Sequence, residues 1–304
     1  MPRRRPLLPE DLSGATAEDL LAALRRARGG ELDRLVGRLV AAGEVGDRLL
    51  AEVLPLARPS LGVAVAAGLG DVRGPAGDAA LREVLHVGGA GTSDLRTVAT
   101  LSLAKRGGAA ASADLVSAWG ARDWGTRMSA LHCLAAVGDD RAASSVHGWL
   151  ARRLRARRAQ AMAMPTDVVL GLAYLLRHAS PDAPALVALV RERWARLEPE
   201  EQEWVGEQWP GAAPGGPPPE EVAVPDAELL RGRVADDALL GPSDWSGSWE
   251  DAVWTTTSVD VPDGRGGVAA ASVAHLAEHA PEIEHLLRAL AAGAPHDGTG
   301  RPGA

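Results

Sequence analysis

Apolar positions recur at helical spacing from about residue 16 to 208 of this 304-residue chain. Leu20, Leu21 and Leu24 form a first stripe. Thr16 precedes it with Asp19 three residues on, the pattern of a capping box. Gly29-Gly30 stops that stripe. Leu32, Leu35, Val36, Leu39 and Val40 form a second, which Gly43 ends, and Leu49, Leu50, Val53 and Leu54 form a third, ended before Pro55. Pro59 to Leu69 and Ala79 to Leu85 predict the two helices of a pair. Ser93 and Gly107 bracket the next helix as N-cap and C-cap. Asp167 to Ala179 and Ala183 to Leu197 predict a further pair, with Ser180-Pro181 opening its second helix.

Some of these stretches align with each other. Residues 94–107 match 125–138 at a spacing of 31, pairing Arg96 with Arg127, Leu103 with Leu134 and Gly107 with Gly138. Leu115 and Trp119 match Val146 and Leu150 at the same offset. One unit earlier, Leu69, Leu81 and Leu85 stand 34 residues before Leu103, Leu115 and Trp119, and a longer loop at 88–93 takes up the difference. The pair after residue 167 is offset by about 40, so an insertion runs through Arg158 to Pro165. A helix pair this short cannot cover its own apolar stripe, so its neighbours must. The pattern predicts an all-α protein, an α-solenoid of stacked antiparallel helix pairs. Such stacks present surface, and few carry chemistry.

After Trp209 the pattern ends. Pro and Gly dominate 210–219, a composition that reads as a linker. The expected organisation is a flexible N-terminus (1–15), a helical solenoid (16–209), the linker (210–219), a mostly irregular acidic extension carrying tryptophans (220–292) and a disordered tail (293–304). Within the extension, 254–261 reads as a short strand and 267–290 as a helix broken near Pro281. Deleting 210–304 is expected to leave a folded body.

The matched positions resemble HEAT repeats, most closely the short ones named after phycobilisome lyases. Those repeats place an Arg near the start of the first helix and an apolar-Gly-Asp turn after it. Val137-Gly-Asp-Asp-Arg-Ala-Ala143 resembles that turn, and Arg122-Asp123-Trp124-Gly-Thr-Arg127 resembles the inter-repeat loop. The resemblance is clear over 93–150, weaker over 59–197 and absent after 210, and the first unit lacks an Arg at the Arg96 position. It implies a docking surface, with Trp209 and its surroundings closing one end of the stack.

Composition supports helices: the apolar residues are mostly Ala, Leu and Val, Phe is absent, and Tyr174 is the only tyrosine. Lys105 is the only lysine beside 31 arginines, the bias of a GC-rich bacterial genome. Cys133, the single cysteine, lies in an apolar helical pattern and excludes an internal disulfide. The basic start, Arg3-Arg4-Arg5, lacks the apolar core of a signal peptide, and no run approaches the ~18 apolar residues of a membrane span. A cytoplasmic protein is expected. The net charge of −8 is asymmetric: residues 1–160 carry 23 Lys/Arg and 17 Asp/Glu, residues 161–304 carry 9 and 23. A basic half followed by an acidic one suits either an acidic partner or a tail that docks on its own body.

Two groups stand out as partner-binding candidates. Arg152, Arg153, Arg155, Arg157 and Arg158 spread around a helix with Leu154 facing inward, placed to grip an acidic peptide or phosphates. Trp245, Trp249 and Trp254 lie among Gly, Ser, Asp and Glu, as anchors for a groove or for the chain's own body. Other constellations fall to simpler readings. Trp119, Asp123 and Arg127 resemble the concave-surface set of HEAT-like alkylpurine DNA glycosylases, but all three are ordinary repeat positions. His275-Leu-Ala-Glu-His279 fits an inverted zinc-peptidase pattern on a helix, yet lacks room for a third ligand. No cofactor motif is present. The expectation is a non-enzymatic protein-binding scaffold, with nucleic-acid binding through the basic half as the alternative and a lyase-like or glycosylase-like activity after that.

Overall fold

In this computed structural model the described residues are 8, 12, 14–27, 30–88, 92–156, 167–178, 183–225 and 240–245, and the backbone of 254–262 and 268–276. The first helix, α1 (Ala17–Arg26), opens on a complete capping box. The Thr16 hydroxyl accepts the Asp19 N–H at 3.1 Å, and the Asp19 carboxylate accepts the Thr16 N–H at 3.2 Å. Leu20, Leu21 and Leu24 turn inward. Then follow α2 (Gly30–Ala41), α3 (Glu44–Val53), α4 (Pro59–Asp71), α5 (Pro75–Leu85), α6 (Ser93–Gly107), α7 (Ser112–Trp119), α8 (Trp124–Val137) and α9 (Ala143–Ala156). The last three are α10 (Asp167–His178), α11 (Ala183–Glu192) and α12 (Pro199–Gln208). Residues 180–182, where a Ser-Pro helix start was expected, lie outside the described set.

Every second helix packs on its counterpart in the next pair: α4 on α6, α6 on α8, α8 on α10. The partners α5, α7 and α9 pack against α6, α8 and α10 respectively. Hydrogen bonds show that the first series runs parallel. At the N-terminal ends of α6 and α8, Ser93 Oγ donates to Asp123 at 2.9 Å. Midway along α4 and α6, Ser102 Oγ donates to the Ala66 carbonyl at 2.8 Å. At the C-terminal ends of α8 and α10, Arg177 donates to the Ala135 and Ala136 carbonyls. Small residues permit the approach: a methyl on Gly62 would sit 3.2 Å from Leu95, and one on Gly70 would sit 3.1 Å from Ser102 Cβ.

The core of the later pairs contains Leu115, Leu131, Leu134, Val146, Leu150, Leu154, Leu172, Leu175 and Val190. Each such side chain contributes about 1.5–3 kcal/mol by leaving water. The buried Tyr174 is bonded at its polar end. The Tyr174 hydroxyl donates to the Asp139 carbonyl at 2.7 Å and accepts the Ala142 N–H at 3.1 Å.

Arg106, near the end of α6, is 4% exposed and joins three elements. Its Nε donates to Asp78 of α5 at 2.5 Å and its Nη1 to Asp47 of α3 at 3.0 Å. Further donations reach the Leu69 and Val72 carbonyls at 2.7 Å, at the end of α4, and the Gly74 carbonyl. The second oxygen of Asp47 accepts the Ala76 and Gly77 N–H groups, so it also caps α5. A buried charge is tolerable only when its donors are satisfied this fully.

Two expectations are corrected. The Pro/Gly stretch 210–219 is folded, not a linker: Trp209 is buried and its indole N–H donates to the Ala223 carbonyl at 2.9 Å. Arg191 of α11 donates to the Gly211 and Pro217 carbonyls at 2.7 and 2.6 Å, and Ala212 and Val222 join the core. Pro fixes backbone without needing a donor, so a Pro-rich strap folds once outside donors meet its carbonyls. The chain divides into one unit of Met1–Ala27 with Leu35–Asp244 and another of Arg28–Arg34 with Trp245–Ala304. The division therefore falls near residue 245, not at 210.

The second correction concerns the C-terminal extension. Trp254–Pro262 forms strand β1, which pairs antiparallel with β2 (Val268–Leu276), Trp254 opposite Leu276 and Pro262 opposite Val268. Residues 268–276 are thus a strand where a helix was expected. Their alanines favour helix in isolation, but a facing strand rich in Thr and Val supplies the pairing that decides. The rest of the expected 267–290 helix, and the tail 293–304, lie outside the described residues.

Candidate interaction surface

The basic run sits at the end of α9. Leu154 is fully buried, as its spacing requires, while Arg152 and Arg155 are exposed. Arg153 is pulled down onto α10, where its Nε donates to Asp167 at 2.8 Å. Arg155 turns back to the Ala151 carbonyl at 3.2 Å. Arg157 and Arg158 lie outside the described residues. Of the described arginines of the run, two project and one is committed to the fold.

The three candidate tryptophans do not form one described cluster. Trp245 is half-buried, Trp249 lies outside the described residues, and Trp254 is placed only as the first residue of β1. Just before Trp245, Ser243 meets the C-terminal ends of α4 and α6. Its N–H donates to Asp71 at 3.3 Å, and Lys105 donates to its hydroxyl at 3.1 Å. Asp71 and Lys105 are themselves paired at 2.8 Å. Those contacts stand on the only lysine in the chain, not on the arginine run.

The glycosylase-like trio has structural duties. Trp119 is buried, edge-on to Trp149 with centroids 5.3 Å apart, and its indole N–H donates to Ser145. The Arg127 guanidinium lies 5.2 Å from the Trp119 ring centre. Asp123 caps α8 by accepting the Thr126 N–H at 2.8 Å, and it pairs with Arg96 at 2.9 Å. Burial disfavours its charged form, but the bonds from Thr126 and Ser93 and the charge of Arg96 outweigh it and lower its pKa to about 2.

Other titratable groups are turned inward. Burial pushes the Cys133 thiol up to about 12, which suppresses thiolate chemistry at neutral pH. Burial, then the neighbouring Arg177 charge, holds His178 below its ordinary value. The helix placing His275 and His279 on one face is replaced at His275 by β2. Among the described residues no group of three His, Cys, Asp or Glu side chains is arranged to hold a metal ion. A shallow cleft of about 60 Å³ between α5, α6 and α7 is lined by Asp78, Arg82 and Asp114. Arg82 and Asp114 pair across it at 2.9 Å, and Asp78 is taken by Arg106.

One feature escaped sequence reasoning. Among the described residues the exposed large apolar side chains are Leu56, Val87 and Trp124, at 55, 42 and 71% exposure. Leu56 and Val87 lie between the second helix of one pair and the first helix of the next, and Trp124 opens the first helix of its pair. The signal was available: all three fall just outside the helical stripes, where a buried role has no period to support it. No protein-family model, no curated protein and no solved structure matches this chain significantly.

Proposed function

We propose that the chain is a HEAT-like α-solenoid acting as a non-enzymatic scaffold that binds another protein. The observation that carries this reading is the parallel, in-register packing of α4, α6, α8 and α10. It is stitched by hydrogen bonds between residues about one repeat apart, such as Ser102 to Ala66 and Tyr174 to Asp139. Units joined in that way present a continuous outer surface whose side chains are free to specify a partner. The buried positions of Trp119, Cys133 and Tyr174 support the same reading, because these reactive or aromatic groups serve packing. No described helix is long and apolar enough to cross a membrane.

Affinity purification of the tagged full chain from its native host, with nuclease treatment and cross-linking, tests the reading. A stoichiometric protein partner cross-linked to residues of the α4–α10 series is the expected result. Recovery of nucleic acid, with protein lost on nuclease treatment, would replace it. The exposed Arg152 and Arg155 favour that second reading. A salt titration with duplex DNA isolates it, because phosphate binding weakens steeply as salt rises.

A further inference from the structure

The first helices of successive pairs run parallel, so the loops that lead into them fall along one edge of the stack. Leu56 precedes α4, Val87 precedes α6, and Trp124 is the first residue of α8. The edge is tied together from beneath. Arg96 of α6 donates to the Val87 carbonyl at 2.7 Å and pairs with Asp123, the residue beside Trp124. Val87 and Trp124 are thus held on either side of one guanidinium. Two exposed arginines stand in the same loops, Arg58 two residues after Leu56 and Arg122 two residues before Trp124. Neither has an ion-pair partner among the described residues, unlike Arg48, Arg82, Arg106 and Arg153.

We infer that this edge, Leu56–Val87–Trp124 with Arg58 and Arg122, is a docking surface for an extended, acidic peptide segment of a partner protein. The inference rests on the scaffold reading and gives it a site and a ligand chemistry. Exposed apolar side chains that repeat from unit to unit are costly to solubility unless something covers them. The unpaired guanidinium groups select carboxylates. Neighbouring helices lie about 8–10 Å apart, and an extended chain rises about 3.3 Å per residue. Apolar anchors at roughly every third residue therefore match successive loops. Trp124 is the dominant anchor, since large aromatic side chains carry most interface energy. Two of the three anchors, Leu56 and Val87, are aliphatic, which favours a peptide over nucleic acid, whose bases stack on aromatic faces.

The test is selection of a random peptide library displayed on phage against the immobilised full chain, followed by affinity measurement. Enriched peptides are expected to be acidic, with apolar residues at about every third position. Trp124→Ala should weaken them at least about tenfold, and Leu56→Ser or Arg122→Glu about three- to tenfold. Arg141→Glu, in the turn between α8 and α9 at the opposite end of the helices, should leave affinity unchanged. Circular dichroism of each variant verifies folding, which an exposed side chain does not control. Enriched peptides insensitive to Trp124→Ala would overturn the edge while leaving the scaffold reading intact. No enrichment, or basic winners, would also overturn it. Tight binding of single-stranded DNA that Trp124→Ala abolishes would assign the edge to nucleic acid instead.

Discussion

Arg106 meets five acceptors from three elements, and its neighbourhood shows how far a single side chain can hold this molecule. Arg106→Met should cost about 3–5 kcal/mol in urea unfolding, because Asp47 is left buried without its cation. A loss below about 1 kcal/mol would mean that the network contributes little. Asp123 makes a separate prediction in pH. Its folded pKa, about 2, lies below its ordinary 3.8, so its stabilisation is present above pH ~4 and is lost as pH falls towards 2. Because the carboxylate is partly exposed, the effect is on the order of 1–2 kcal/mol. Asp123→Asn should flatten that part of the stability profile, measured by denaturant titration between pH 2 and 5. Neither role was legible in the sequence. An arginine at a helix end reads as a solvated partner of the helix dipole, and Asp123 reads as a repeat position without its pairing to Arg96 being visible. Trp119 and Leu154 were legible, because the repeat frame and the helical period both place them inward.

At the scale of elements, the capping box of α1 and the succession of helices followed from local signals: Thr16 with Asp19, Gly43, Pro59, and the stripe spacing. Two elements did not. The strap over 210–225 looks like a linker because its stabilising bonds come from Arg191 and Trp209, which precede it by up to 26 residues. Truncation after residue 209 should therefore destabilise the helical unit by several kcal/mol, whereas truncation after 244 should leave its melting nearly unchanged, as followed by circular dichroism. Losing the partners of a buried tryptophan is the larger effect, since Trp→Ala in a core costs about 3–5 kcal/mol. Equal melting of both truncations would show that the strap is dispensable. The β1–β2 pairing was half legible: Thr-Thr-Thr-Ser-Val-Asp-Val declares a strand, but alanine-rich 268–276 needs its partner to become one. Within the core, Tyr174→Phe should cost about 1–3 kcal/mol by leaving the Ala142 N–H buried and unpaired.

At the scale of the molecule, the 31- to 34-residue spacing announced that units would lie side by side, and the hydrogen bonds between residues 28 to 42 apart report the same spacing in three dimensions. What the sequence pattern does not contain is which edge is left uncovered, because exposure depends on how loops of different length meet. The arginine run drew attention by charge alone, while Leu56, Val87 and Trp124 emerge only once the parallel helices align their loops. The docking edge exists only if α4, α6 and α8 are aligned in that way. The most direct test of that alignment is a disulfide between Gly70→Cys and Ser102→Cys, whose Cβ positions lie about 3.1 Å apart across α4 and α6, close to the ~3.5–4.5 Å a disulfide spans. The native Cys133 is buried and does not compete. With α4 and α6 in register, the oxidised pair should cross-link readily in the folded chain, seen as a mass loss of two hydrogens and a shifted non-reducing gel band. A Gly70→Cys, Leu95→Cys pair should stay reduced. Failure of the first pair to cross-link in a protein of native helicity, or equal cross-linking of both, would contradict the stacked arrangement.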